Sequence, residues 1–351
     1  MSKKRQGGFL RWLRGKGSKA DNTTPATPKI TPAKPASILF TQENRQDVDV
    51  QEAEFGRFWI RVGEVEEQLV DQYVVDTVHR PHLLERPLQP EEITALRELA
   101  PWGYCFRLNA DVSIDNVLSD DFTPHAFDQG EGMMEMDLRI SMLEGALARY
   151  VDPEFPPGSG RWLDVATNCG IIPLLLNRQR GHVLTALDLA SINLRKAKRL
   201  CAMAGGQDMA VIQADAYDFF NQIPDAAYDM ISVLGLLYHL TDPVGLLSRV
   251  YRKVRRVVLI DSIVHNFDFS GWIQTVGRHI KMPEMAHAYD TRQIMELHPT
   301  CRGLVDTLFQ VGFDRVVEVA PSPALLTHFP APIYMSRNRK IFLAFKDAAG
   351  K

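Results

Sequence analysis

The sequence has few cysteines and no long apolar run, and both absences narrow the class of protein. Its four cysteines, Cys105, Cys169, Cys201 and Cys301, lie far apart and form no C-x-x-C pair. This spacing argues against a disulfide framework or a structural zinc site, predicts no metal, and fits the reducing cytoplasm. The longest apolar stretch, residues 230–240, is too short to cross a bilayer.

The first twenty residues contain no acid and carry seven lysines and arginines. Apolar residues around Trp12 are interspersed with these charges, so on a helix they would form an apolar face with a cationic rim. This pattern is typical of a segment that contacts a membrane surface or an anionic partner. Four glycines in the same stretch favour the alternative, a disordered and solvated leader. Arg11 and Arg14 interrupt the apolar patch, which argues against a secretory signal.

Composition divides the chain into three parts. Residues 1–36 read as the basic leader and a Thr/Pro-rich linker, and residues 37–157 as a mainly helical extension on the substrate side. Within that extension we predict helices over residues 64–78, from Pro90 and over 132–150, and a strand over 102–112. Residues 158–346 form the third part, a cofactor domain. The net charge of −3 means that nucleic-acid binding would need a local basic patch.

The third part alternates short strands with helices, which indicates an α/β fold with a mostly parallel, doubly wound sheet. The predicted strands cover residues 161–166, 183–188, 210–214, 228–234 and 255–263. The predicted helices cover residues 170–180, 191–204 and 243–253. Residues 290–311 are predicted to be helical with a break near Pro299, and two last strands at 313–319 and 340–345 suit a closing reversed hairpin.

A tight turn follows the first of these strands, in residues 162–170 (WLDVATNCG). Ligands of open α/β sheets bind at the carboxyl ends of the strands, where such a turn allows close approach of the backbone. The turn lacks the G-x-G-x-x-G motif that holds a pyrophosphate, and it carries the acid Asp164. A carboxylate repels a pyrophosphate but suits a cationic ligand such as a methionyl ammonium.

Two further acids follow the next two strands. Asp188 is placed to accept hydrogen bonds from ribose hydroxyls, with Leu189 beside it to cover one face of an adenine. Asp215 is placed to accept from the exocyclic amine of the adenine. Each acid alone has an equally ordinary interpretation as a helix cap or turn former. Three acids in register after consecutive strands favour a nucleotide cofactor.

These residues resemble the motifs of class I S-adenosylmethionine-dependent methyltransferases. The similarity lies in Leu163-Asp164…Gly170, Leu187-Asp188, Ala214-Asp215-Ala216 and Tyr228-Asp229. Residues 233–243 (VLGLLYHLTDP) are similar to a signature of the subgroup that contains the bacterial tRNA wobble-uridine carboxymethyltransferase. That enzyme forms 5-carboxymethoxyuridine from carboxy-S-adenosylmethionine. Residues 329–332 (FPAP) and 339–344 (RKIFLA) resemble the ending of the same subgroup.

The resemblance implies a seven-stranded methyltransferase-type Rossmann sheet that binds S-adenosylmethionine or its carboxy analogue. It implies cofactor contacts at Asp164, Ala166, Asn168, Gly170, Asp188, Leu189, Asp215, Ala216 and Leu234. The family usually has glycines where Ala166 and Asn168 stand. Asn tolerates left-handed backbone, and a methyl group at residue 166 is tolerated if φ there is negative. Because of these two departures, a non-catalytic module that binds S-adenosylmethionine stays an alternative to an enzyme.

Three residues are the catalytic candidates. Tyr238 matches the tyrosine that the family places over the transferred group, and Arg339 matches its arginine that reads the carboxyl of the carboxy donor. His239 has the intrinsic acidity of a general base, although it also suits a core or capping role. Asp261, at the end of the fifth strand, is a further candidate.

Residues 265–290 interleave aromatic and basic side chains, which suits either a nucleotide-stacking surface or a hydrophobic lid. The sequence therefore predicts an enzyme that transfers a methyl or carboxymethyl group to an acceptor, either tRNA wobble uridine or a small molecule or glycan. It gives no prediction of oligomeric state.

Overall fold

The computed structural model describes residues 52–53, 57–58, 70–119, 131–205, 209–277 and 294–346. The leader, the linker and part of the 265–290 segment lie outside these residues, as do the predictions made for them. Among the residues described, no helix is long and apolar enough to cross a membrane.

One large sheet organises the chain. Two short strands, β1 (Glu52–Ala53) and β2 (Arg57–Phe58), form a separate hairpin before it. The large sheet is built from eight strands: β3 (Asp71–Val75), β4 (Arg161–Val165), β5 (Val183–Asp188), β6 (Met209–Gln213), β7 (Tyr228–Leu234), β8 (Val254–Ile263), β11 (Arg315–Pro321) and β12 (Arg339–Phe345). A second hairpin, β9 (Trp272–Gly277) and β10 (Ile294–Pro299), stands apart from it.

The strand order across the large sheet is β3-β11-β12-β8-β7-β4-β5-β6. β12 pairs antiparallel with both neighbours, and the other strands pair in parallel. The prediction of a doubly wound α/β sheet that closes with a reversed strand is therefore confirmed. The predicted count of seven strands is wrong, because β3 from the N-terminal extension adds an eighth strand along β11.

Helices cover both faces of this sheet. They are α1 (Pro90–Glu98), α2 (Ile114–Leu118), α3 (Glu131–Tyr150), α4 (Ile171–Asn177), α5 (Ser191–Met203), α6 (Ala216–Gln222), α7 (Pro243–Lys253), α8 (Cys301–Val311), α9 (Pro323–His328) and α10 (Pro332–Met335). One apolar core lies between the sheet and the face covered by α3 and α4, and a second lies under α7 and α8. The result is a three-layer arrangement whose central strands are buried on both faces, whereas the edge strands β3 and β6 are partly exposed.

Three local predictions are wrong. The helix predicted over residues 64–78 contains β3 instead, because β11 offers an edge whose ladder outweighs the helical spacing. The strand predicted over residues 102–112 is mostly irregular, since the side chain of Asn109 accepts from the backbone N–H groups of Asp111 and Val112 and turns the chain. Residues 294–299, predicted to be helical, form β10 paired with β9.

Candidate active site

The turn after β4 holds three alternate residues in left-handed backbone. Ala166 has φ of 54°, Asn168 of 53° and Gly170 of 71°. The condition under which a methyl group at Ala166 would be tolerated, a negative φ, is therefore not met, and the alanine occupies a conformation that costs an ordinary residue about 1–2 kcal/mol. Strain of this kind persists where the surroundings enforce it, and it collects at ligand sites. The turn keeps the glycine-type geometry without two of the glycines.

Asp164 lies at the end of β4 and is almost fully buried. Trp162 donates from Nε1 to the Ser232 hydroxyl at 2.8 Å, and that hydroxyl donates in turn to Asp164. Burial raises the pKa of Asp164 to about 6, against the opposing effect of the hydrogen bond from Ser232. Near neutral pH the carboxylate is thus a poorly solvated anion, and a cationic ligand would stabilise it.

Asp188 ties the end of β5 to the same turn. Its Oδ2 accepts from the Asn168 backbone N–H at 2.8 Å, and its Oδ1 accepts from the Ala190 N–H at 2.8 Å. Asp188 is therefore a turn former here, and its predicted ribose contacts stay a prediction. Leu189 beside it is 47% exposed, an open apolar surface of the kind an adenine ring would cover.

Asp215 is the N-cap of α6, which begins at Ala216. Its Oδ1 accepts from the backbone N–H of Tyr217 at 2.8 Å and of Asp218 at 3.3 Å. The capping role that the sequence left open is thus present. The predicted contacts of Asp215 and Ala216 with an adenine stay predictions.

Gly235 follows β7, whose last residue is the buried Leu234, and has φ of 86°. A Cβ built on Gly235 would lie 3.3 Å from Arg339 Nη2, 3.5 Å from Tyr238 Oη and 3.6 Å from Arg139 Nη2. Three donor groups from three elements therefore converge on one point that has no side chain of its own. We call Gly235, Tyr238, Arg139 and Arg339 the cradle.

The two arginines of the cradle share one fully buried carboxylate. Arg139 and Arg339 are 2% and 9% exposed, and both pair with the fully buried Asp261. Burial by itself would raise the pKa of Asp261, but the two guanidinium groups outweigh it, and the pKa lies below its usual value. Glu135 is 3.4 Å from Arg339 but is 34% exposed. One buried carboxylate thus serves two buried guanidinium groups.

Two polar atoms at the cradle have neither a hydrogen-bond partner nor an ion-pair partner among the residues that the structure describes. They are Arg139 Nε and the Tyr334 hydroxyl, and both residues are buried. Buried polar groups are nearly always bonded, so two unbonded donors beside a shared carboxylate make a candidate site for an anionic group.

His239 lies next to the cradle, in a 3₁₀ turn formed by Leu237–His239. Its Nδ1 is 2.9 Å from Oε1 of Glu296 on β10, and its ring centroid is 4.1 Å from that of Tyr238. Glu296 Oε2 is 3.1 Å from His298 Nε2. The structure therefore brings Tyr238, His239 and Arg339, predicted separately, to one end of the sheet.

Sequence reasoning missed Arg139, Tyr334 and Glu296. Arg139 had a readable signal, because it is a charged residue between the apolar Leu138 and Ile140 of α3, and all three are buried. Glu296 had none, since its segment was predicted to be helical.

The carboxyl ends of β4, β5 and β6 carry Asp164, Asp188 and the Asp215 cap beside a strained turn. This arrangement defines an α/β protein with a nucleotide-cofactor site. The site fits S-adenosylmethionine: the buried anion Asp164 suits its ammonium group and the exposed Leu189 suits its adenine. When bound, this cofactor supplies an electrophilic carbon next to its sulfonium.

A methyltransferase domain family matches residues 163–258. The ubiquinone/menaquinone biosynthesis C-methyltransferase UbiE of Desulfotalea psychrophila is 30% identical over 170 residues, 45% of this chain and 67% of that protein. The chain belongs to the class I S-adenosylmethionine-dependent methyltransferases, and S-adenosylmethionine is its cofactor.

The solved structures that align with this chain have lower sequence identity to it. The N-terminal domain of EvdMO1, crystallised with SAH and D-fucose, aligns at 17% identity with a TM-score of 0.48, over 73% of this chain and 96% of that one. The 1,6-didemethyltoxoflavin-N1-methyltransferase of Burkholderia thailandensis aligns at 15% identity with a TM-score of 0.42, over 61% and 81%.

Proposed function

We propose that this enzyme accepts a donor whose transferred group carries a carboxylate, carboxy-S-adenosylmethionine, and so transfers a carboxymethyl group. The observation that supports this is the charge of the cradle, where Arg139 and Arg339 share Asp261. A sulfonium is itself a cation, so surplus guanidinium charge beside it is repulsive. A carboxylate on the transferred carbon turns that repulsion into charge-assisted hydrogen bonds.

The acceptor we propose for this donor is the tRNA wobble uridine. The support is the similarity of residues 233–243 and 339–344 to the corresponding signature, together with the positions of Tyr238 and Arg339 in the cradle. The seven basic residues within positions 1–20 would add sequence-independent attraction to phosphates.

Calorimetry with the two donors tests the proposal. The carboxy donor should bind the full chain at least about tenfold more tightly than S-adenosylmethionine, because one charge-assisted hydrogen bond is worth that much. Arg339→Met should abolish this preference, and Arg180→Met, remote from the cradle, should keep it. Equal or weaker binding of the carboxy donor would contradict the proposal.

A second candidate function is methyl transfer from S-adenosylmethionine to a small-molecule acceptor, including a glycan, that brings its own carboxylate. The observation that favours it is the 34% exposure of Glu135 at Arg339, which shows that the cradle has a polar, partly open side. Tighter binding of S-adenosylmethionine, with methylation of carboxylated acceptors and not of neutral ones, would select this candidate.

A further inference from the structure

Glu296 lies between two imidazoles at the edge of the cradle. His239 is bonded through Nδ1 and His298 through Nε2, and the Glu296 side chain is only 10% exposed. β10, which carries Glu296 and His298, packs on the 3₁₀ turn that carries His239. This hairpin is outside the part of the chain that the methyltransferase family matches, so the family pattern does not account for Glu296.

The carboxylate fixes the tautomer of His239. An ionised carboxylate only accepts hydrogen bonds, so the neutral imidazole must donate from Nδ1 and carry its lone pair on Nε2. A carboxylate that orients an imidazole in this way is the usual partner of a histidine that acts as a general base. The His239 side chain is 24% exposed, so it can meet a ligand.

Flat rings continue outward from this base. The His298 ring is 5.8 Å from Tyr238, edge to face, and 5.4 Å from His265 in a stacked arrangement. Phe267 stacks on His265 at 5.7 Å and is 53% exposed. Phe267 also stacks on Phe269 at 5.8 Å, and Phe269 is 50% exposed, so the series of rings ends at the surface.

We propose that Glu296 is a positioning residue that makes His239 the general base of the transfer. This inference rests on the proposed wobble-base acceptor, whose carboxymethoxy product carries the new group on an oxygen. His239 Nε2 takes the hydroxyl proton while the oxygen forms a bond to the donor carbon. The electron pair of the breaking carbon–sulfur bond stays on sulfur, which becomes a neutral thioether. An imidazole is matched to phenolic or enolic hydroxyls, whose pKa values lie within a few units of its own.

The first test uses ring hydroxyls as probes. Phenol, 4-nitrophenol and 5-hydroxyuridine are offered with each donor, and release of S-adenosylhomocysteine is measured. We expect turnover of at least one probe, and His239→Ala should lower its kcat by about 10²–10⁴-fold with little change in KM. The loss should shrink for 4-nitrophenol, which is already ionised. No turnover of any probe overturns the transfer to a hydroxyl oxygen, and an equal loss of kcat on all of them overturns the role of His239 as the base.

The second test needs neither donor nor acceptor, so it stands even if the proposed donor is wrong. Imidazole ¹⁵N NMR of the full chain should show His239 as the Nδ1–H tautomer, and Glu296→Gln should shift it toward Nε2–H. Glu296→Gln should also lower kcat by about 10²-fold or more, with Glu296→Asp recovering part of it. An unchanged tautomer in Glu296→Gln overturns the positioning role.

A matched pair elsewhere provides the control. His82 Nε2 is 2.9 Å from Glu85, and the His82 side chain is also 24% exposed. His82→Ala and Glu85→Gln should leave kcat within about twofold, which separates loss of a base from loss of any histidine–carboxylate pair.

Discussion

Two arginine clusters in this molecule differ in the ratio of guanidinium groups to the carboxylates that they contact. Around Arg180 one guanidinium meets two carboxylates, Glu144 and Asp152, and all three of its nitrogens donate at 2.6–2.9 Å. In the cradle, Arg139 and Arg339 meet the single buried carboxylate of Asp261. Helix α3 contributes to both clusters, through Glu144 and Arg139.

The difference separates a cluster whose guanidinium is saturated from one that keeps an unbonded donor. A saturated guanidinium needs nothing more, so Arg180 has a complete structural role within the chain. Arg139 Nε has no hydrogen-bond partner among the described residues, and Arg139 shares its ion-pair partner Asp261 with Arg339. The cradle lies at the cofactor edge of the sheet, and the Arg180 cluster lies away from that edge.

The largest expected effect is the loss of the carboxylate on which the cradle depends. Asp261→Asn would remove the only fully buried carboxylate that pairs with both guanidinium groups and should lower the free energy of unfolding by about 3–5 kcal/mol. Because the pKa of Asp261 is lowered in the fold, this contribution is present above its unfolded pKa and is lost only as the pH falls through the folded value. Denaturant unfolding at pH 7 and at acidic pH measures both.

The control for that variant is Asp152→Asn in the saturated cluster. Asp152 is 37% exposed, and Arg180 keeps Glu144, so the loss should be below about 1 kcal/mol. Equal losses of the free energy of unfolding in Asp261→Asn and Asp152→Asn would contradict the proposed difference between the clusters.

Next in size is the removal of the saturated guanidinium. Arg180→Met should lower the free energy of unfolding by about 2–3 kcal/mol, less than a fully buried pair, because its acids keep some contact with water. Binding of either donor should not change. A donor affinity that falls together with stability would show that Arg180 also supports the site.

The strand ends and the cradle differ in how much of each could be predicted from the sequence. The strand ends with Asp164 and Asp188 were predictable, because the period of a buried parallel strand and the acid after it are local features. The cradle was only half predictable. Tyr238 and Arg339 lie in recognisable motifs, whereas the roles of Arg139 and Glu296 depend on how α3 and β10 pack, and neither element's local pattern encodes that packing.

The third prediction removes the unbalanced guanidinium. Arg139→Met leaves one arginine with one aspartate, a balanced pair, so the free energy of unfolding should change by less than about 1 kcal/mol. Affinity for the carboxy donor should fall by about 10–100-fold, the value of one or two charge-assisted hydrogen bonds. Calorimetry measures it, with Arg149→Met at the exposed end of the same helix as control. Unchanged affinity would make Arg139 merely structural.

The smallest expected effect comes from a single hydroxyl. Tyr334 is buried, burial raises its pKa, and its hydroxyl has no hydrogen-bond partner among the described residues. Tyr334→Phe removes this unsatisfied group and should raise the free energy of unfolding by up to about 1 kcal/mol, while weakening carboxy-donor binding a few-fold. Tyr217→Phe is the matched control, because its hydroxyl donates to the Asp242 carbonyl at 2.6 Å and its loss should destabilise by about 1 kcal/mol. Opposite signs for the two tyrosines would show that the cradle keeps a donor unpaired for a ligand, whereas equal destabilisation, with donor binding unchanged, would assign Tyr334 to the fold alone.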